Sequence, residues 1–144
     1  TIEAYMCPDE FAECDGSVEA SEGVYIGQQN RKAFGFSYCT KVGVGENSEA
    51  GYKINLVYNA TVSPSEKGYE SVNDSPDALT MSWEVSTTAV NVTGHKPTAH
   101  ITIDSTKVKD KTKLKELEDK LYGTGEAEAT LPSPDEVLAI FAAA

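Results

Sequence analysis

His95 and His100 are the only two imidazoles in the chain, and nucleophile–base catalysis needs such a group held in place by the fold. His100 falls out of phase with Ala99, Ile101 and Ile103, so its ring is expected to face outward. His95 lies in the turn-like Thr93-Gly94-His95-Lys96-Pro97. Both read as surface or structural histidines. No His-x-x-x-His, Gly-x-Ser-x-Gly or zinc-spaced Cys/His cluster appears. Cys7, Cys14 and Cys39 are an odd set with no Cys-x-x-Cys, which reads as free thiols rather than a disulfide framework. Asp9, Glu10, Glu13 and Asp15 gather oxygen donors, but the twelve-residue calcium-loop pattern is missing, and a solvated acidic face is the preferred reading. Gly43-Val44-Gly45-Glu46 fits neither phosphate-loop spacing and reads as a turn. Asp74 and Asp77 could serve as acid and base only across a cleft, which nothing in the sequence supplies. The expectation is therefore no catalytic residue, no metal and no cofactor.

The elements that must carry these residues are mostly strands. At 144 residues with 40% hydrophobic content the chain suits one globular domain. No apolar run approaches the ~20 residues of a membrane span, and no secretory signal pattern stands at the start. The net charge of -11, from 23 acids against 12 bases, argues against a nucleic-acid clamp. Charge is unevenly placed. Residues 1–30 hold Glu3, Asp9, Glu10, Glu13, Asp15, Glu19 and Glu22 and no Lys or Arg, whereas KVKDKTKLK (107–115) carries five lysines. That run is read as a solvated helix face and its lead-in, with an anion patch as the competing reading.

Period-2 alternation predicts a long strand over 52–62, with Tyr52, Ile54, Leu56, Tyr58, Ala60 and Val62 on one face and Lys53, Asn55, Val57, Asn59 and Thr61 on the other. A second strand runs from Leu79 through Met81, Trp83 and Val85, with Thr80, Ser82, Glu84, Ser86 and Thr88 opposite. Shorter strands are expected at 33–40 (Phe34, Phe36 and Tyr38 on a core-facing stripe), at 99–103 and around 24–28. Residues 41–51 read as a hairpin loop and 63–76 as a longer polar connection. Leu114, Leu117 and Leu121 predict a helix over 111–122, with Asp110 as N-cap, Gly123 as its stop and a Glu116–Lys120 pair on its surface. Ser133-Pro134-Asp135-Glu136 predicts a capping box opening a second short helix, and a helical turn is expected around Pro8–Glu13. The fold class is mainly β with flanking α: a sandwich or partly closed barrel with a flanking helix near 111–122.

Six segments, FAECDGS (11–17), GQQNRKAFGFSYCT (27–40), GYKINLVYNATVSPSEKGYESVNDSPDA (51–78), MSWEVSTT (81–88), KPTAHITIDSTKV (96–108) and LPSPDEVLAIF (131–141), together resemble the major tail protein family of long, non-contractile-tailed bacteriophages of Gram-positive hosts. The resemblance covers nearly the whole chain and implies one tail-tube-like domain over 1–144, built of two packed, roughly orthogonal β-sheets with a flanking helix. It implies homo-hexameric rings that stack into a tube, with other tail proteins as further partners. DNA would pass through that tube without specific binding. The protein would be made in the bacterial cytoplasm, would reside in the virion tail and would have no membrane anchor. Members of that family usually carry some tens of residues upstream of the position matching Thr1, so an N-terminal arm and first strands are expected to be missing here, leaving a sheet edge open.

A conduit for DNA must not bind it, and the polar faces of the two best strands carry almost no charge. Asn55, Asn59, Thr61, Thr80, Ser82, Glu84, Ser86 and Thr88 are therefore the candidates for a lumen-facing surface, with ordinary solvent exposure as the competing reading. Glu46, Asn47, Glu49, Ser65, Glu66, Lys67, Tyr69, Asn73 and Asp74, in the two expected loops, are the candidates for ring or subunit contacts. The alternative function is a β-sandwich module binding a host surface or carbohydrate, which would display an exposed aromatic platform or a metal-bearing loop; a carboxylate-pair hydrolase stands third.

Overall fold

A computed structural model describes residues 1–44, 47–64 and 80–142. In chain order the elements are β1 (Ile2–Ala4), a 3-10 turn (Asp9–Phe11), α1 (Ala12–Asp15), β2 (Val18–Ser21), β3 (Val24–Ile26), β4 (Phe34–Val44), β5 (Asn47–Pro64), β6 (Met81–Thr87), β7 (His100–Asp104), α2 (Lys111–Tyr122) and α3 (Pro134–Phe141). The protein is mainly β: a five-stranded sheet ordered β1-β6-β5-β4, with β7 also paired to β5, and a separate two-stranded sheet of β2 and β3. The described residues fall into two compact units, one from Thr1–Phe34 with Ala60–Thr87 and the other from Gly35–Asn59 with Thr88–Ala144.

The second unit is built on helix-backed strands. Ile54, Leu56 and Tyr58 of β5 and Ile103 of β7 pack with Leu114, Leu117 and Leu121 of α2 and Val137 and Ile140 of α3. β5 and β7 are antiparallel with Ile54 opposite Ile103 and Leu56 opposite Ile101, so apolar side chains share one face. The Asp110 carboxylate accepts from the Thr112 N–H at 2.9 Å and caps α2. Gly123 ends that helix at φ 76, where a Cβ would lie 2.9 Å from the Ala127 carbonyl, so a side chain is excluded by both conformation and space. The Lys120 carbonyl, left open by the helix end, accepts from Thr130 N–H at 2.7 Å. The capping box at Ser133 and Glu136 forms as predicted, with Pro134 in the first turn. Tyr58 donates its hydroxyl to the Pro132 carbonyl at 3.0 Å; burial, helped by the Glu136 charge, pushes its phenol up to about 12.

The first unit centres on Trp83, which is 2% exposed. Its indole Nε1 donates to Asp15 at 2.8 Å. Phe11 meets its ring edge-on at 5.4 Å and meets Phe34 likewise at 5.3 Å. β1 pairs with β6 through Ile2 and Trp83, and β6 with the end of β5 through Val85 and Val62. β2 and β3 form a hairpin with Val18 opposite Ile26 and Glu19 opposite Tyr25.

Several expectations are corrected. Residues 41–44 and 47–51 are strand rather than loop, because Val42 and Val44 continue the alternation past the point where Gly43 suggested a turn. Gly51 belongs to this strand because a Cβ there would sit 2.5 Å from the Thr106 methyl. Of the expected stripe, Phe34 packs on Phe11 but Tyr38 does not reach the core. The two phenylalanines are half-buried, and Tyr38 is exposed, stacked on Phe36 at 6.3 Å. β5 is buried on both faces from Ile54 to Tyr58. Asn59 breaks its regularity with φ 48, a left-handed conformation that Asn tolerates better than most residues. On α2 the ion pair that closes is Lys115–Asp119 at 2.7 Å, not Glu116–Lys120. The strand β1, the strand β2 and the full length of β5 were not anticipated.

Candidate assembly surfaces

The register of β1, β6 and β5 assembles one polar face. Glu3 lies opposite Ser82, Thr61 opposite Ser86 and Ser63 opposite Glu84. Directly opposed residues of antiparallel strands project to the same side, so these six side chains share a face. Ser82 is half-buried and the other five are exposed. The other side of β6 holds Met81, Trp83 and Val85, which explains why the polar set is turned out. The strands contribute two carboxylates, four hydroxyls and no lysine or arginine to this face. A cation also reaches it from outside, where Arg31 Nη1 donates to Ser63 Oγ at 3.5 Å.

Of the eight residues expected on a charge-poor face, Thr61, Ser82, Glu84 and Ser86 come together here. Thr80 is exposed just before β6, and Thr88 is exposed just after it, its N–H donating to the Asn59 carbonyl at 3.1 Å. Asn59 is half-buried. Asn55 does not face solvent: it is 7% exposed, and its Oδ1 accepts from the Thr102 hydroxyl at 2.9 Å. Burial on both sides of β5 turned its polar position into an internal hydrogen-bond site. Glu3 and Ser63 were missed. Alternation carried past Val62 would have found Ser63, but nothing in so short a segment as Ile2–Ala4 announces Glu3.

Among the expected contact loops, Glu46, Ser65, Glu66, Lys67, Tyr69, Asn73 and Asp74 lie outside the described residues. Asn47 and Glu49 belong to β5 rather than to a loop.

The groups with chemical potential are dispersed. His95 is exposed in a turn, and His100 is exposed on β7 with Nε2 3.4 Å from the Thr102 hydroxyl. None of the three cysteines is in a disulfide among the described residues; Cys14 is buried, and that burial raises its thiol pKa. Asp15 is engaged by Trp83, and Glu13 pairs with Lys32 at 2.9 Å. Among the described residues no three His, Cys, Asp or Glu side chains converge as a metal site would require. The Tyr52 hydroxyl donates to Glu118, and that bond, with burial second, pushes the phenol up to about 12.

The hairpin of β2 and β3 is the second surface of note. Every residue of both strands is exposed. A hollow of about 410 Å³ beside it is lined by Glu10, Glu13, Val18, Glu19 and Tyr25 among others. The carboxylates of Glu19 and then Asp9 raise the Tyr25 phenol pKa, and Lys32 also lines the hollow.

No protein-family model, curated protein or solved structure matches the chain. No helix among the described residues is long and apolar enough to cross a membrane.

Proposed function

We propose that this chain is a structural, self-assembling subunit of a phage tail tube, of the major tail protein kind found in long, non-contractile tails. Copies would form hexameric rings that stack into a DNA conduit in the virion and join other tail proteins. The two packed, roughly orthogonal sheets of such proteins are the finer fold this reading carries. It assigns the chain no catalysis and no cofactor.

The observation that carries the reading is the three-strand face of Glu3, Thr61, Ser63, Ser82, Glu84 and Ser86, six paired positions that include no lysine or arginine. Duplex DNA carries one negative charge per ~1.7 Å, and lysines or arginines facing it would bind it by releasing counterions. Hydroxyls keep a wall hydrated without that attraction, and carboxylates repel phosphate. The burial of Trp83 against Phe11 also fits a structural role better than an aromatic binding platform.

Negative-stain imaging of the purified chain at high concentration tests assembly. Rings or tubes are expected. Monomers throughout, with saturable glycan binding, would replace the reading with a binding module. The lumen assignment is tested by Thr80→Lys, Ser82→Lys and Ser86→Lys together. Tubes should still form, and DNA ejection should slow; unchanged ejection kinetics would remove the face from the lumen.

A further inference from the structure

The hairpin of β2 and β3 exposes apolar side chains that a small protein normally hides. Val18 is 43% exposed, Val24 54% and Ile26 50%. Val18 and Ile26 are opposed in register, and Val24 is two residues from Ile26 on the same strand. The three therefore share one face of the hairpin, with Glu19 and Tyr25 on the other. A two-stranded hairpin is marginal by itself in water, and a contiguous exposed apolar patch marks a contact surface. The hairpin is also acidic: Glu19 lies on its other face with Tyr25, Asp9 and Glu10 line the hollow there together with Val18, Glu22 is exposed in its turn, and residues 1–30 contain no Lys or Arg.

The chain also carries the complementary charge. Lys107, Lys109, Lys111, Lys113 and Lys115 alternate through 107–115, and all but the half-buried Lys113 are exposed. Among the described residues Lys115 forms an ion pair with Asp119, and the charges of Lys107 and Lys113 act on Asp104 and Asp110. Lys111 and Lys113 donate to the backbone carbonyls of Ser105 and Ala142. The helix-bearing unit also exposes the apolar side chains of Tyr122 and Leu138.

We propose that the acidic, apolar hairpin of one copy docks on the lysine-bearing 107–115 segment of a second copy. The proposal rests on the reading of the chain as a self-assembling subunit and names the surfaces that do it. Two different surfaces meet in such a contact, so it is heterologous, and repetition closes a ring or extends a filament rather than stopping at a two-fold dimer. Apolar contact supplies the area, and charge sets orientation and rejects hairpin-to-hairpin pairing.

Charge reversal tests it in the full chain. Glu10→Lys with Glu22→Lys uses exposed positions that leave the Glu19–Gly23 hydrogen bond of the hairpin turn intact. Lys107→Glu with Lys109→Glu reverses the other surface. Sedimentation velocity across a concentration series should show each reversal weakening association at least ten-fold, and rising salt should weaken the wild type. All four substitutions in one chain should restore association. Far-ultraviolet circular dichroism confirms that each variant is folded, and Ile26→Ser, which leaves charge unchanged, should also weaken association. If the wild type assembles and the reversals change nothing, or the combined chain is not restored, the docking surfaces are wrong while the subunit reading stands. A wild type that stays monomeric at every concentration overturns both.

Discussion

The helix-backed unit and the hairpin-bearing unit use apolar residues in opposite ways. In the former, Leu117 and Ile54 are fully buried between β5, β7, α2 and α3, and each helix end is closed by its own cap. In the latter, one tryptophan with Phe11 and Phe34 organises the interior, while Val18, Val24 and Ile26 stand in solvent. Apolar area removed from water stabilises the fold at ~25 cal/mol per Å². Area left exposed contributes nothing until something covers it. The hairpin-bearing unit is thus part interior and part surface in waiting, and the helix-backed unit supports itself.

That contrast can be broken by mutation. Trp83→Ala should cost about 3–5 kcal/mol through lost packing and an orphaned Asp15 partner, and Leu117→Ala about 2–5 kcal/mol through a cavity, both read from urea midpoints. A smaller loss at Leu117 than at an exposed site would contradict the buried core. Gly123→Ala comes next, at about 1–2 kcal/mol, since the left-handed turn and the Ala127 carbonyl both oppose a Cβ. Ser133→Ala removes half of a capping box and should cost about 1 kcal/mol. Ile26→Ala, on the exposed hairpin, should change monomer stability by less than about 0.5 kcal/mol. A large effect there in a monomer would mean that the hairpin is already covered within the chain.

Titration sharpens the same comparison. The phenols of Tyr52 and Tyr58 are raised to about 12 in the fold, against about 10 when unfolded. A raised folded pKa gives stability that is complete below the unfolded value and lost as pH rises from about 10 through 12. Both tyrosines belong to the helix-backed unit, so alkaline unfolding should be milder in Tyr58→Phe. At the acid end, Asp135 is lowered by the N–H and hydroxyl of Thr93, and Glu136 by the Ser133 cap. Their contribution is complete above the unfolded carboxyl range, about 4, and fades as pH falls through the lowered folded values. Asp135→Asn should flatten that acid limb in a pH series of thermal midpoints.

Residues whose partners are near in sequence were legible in advance. Leu114, Leu117 and Leu121 define α2, Asp110 and Gly123 bound it, and Ser133 with Glu136 opens α3, because helix pairing and capping are local. The alternation of Tyr52 through Val62 located the middle of β5 for the same reason, and it placed Thr61, Ser82, Glu84 and Ser86 on polar faces. Asn55 misled, since alternation reports one buried face and is silent on whether the other is covered as well. Glu3 could not be read at all: its place on the polar face comes from β1 pairing with β6 some eighty residues away.

By itself, then, the amino-acid order determined the mainly β character, the two capped helices and the separation of acidic and basic stretches. Period and charge are written along the chain and need no partner to be read. The tertiary structure decided which polar positions share a face, which strand is covered on both sides and which apolar residues are left outside. These depend on contacts between distant segments, and no local pattern encodes which distant segment will arrive.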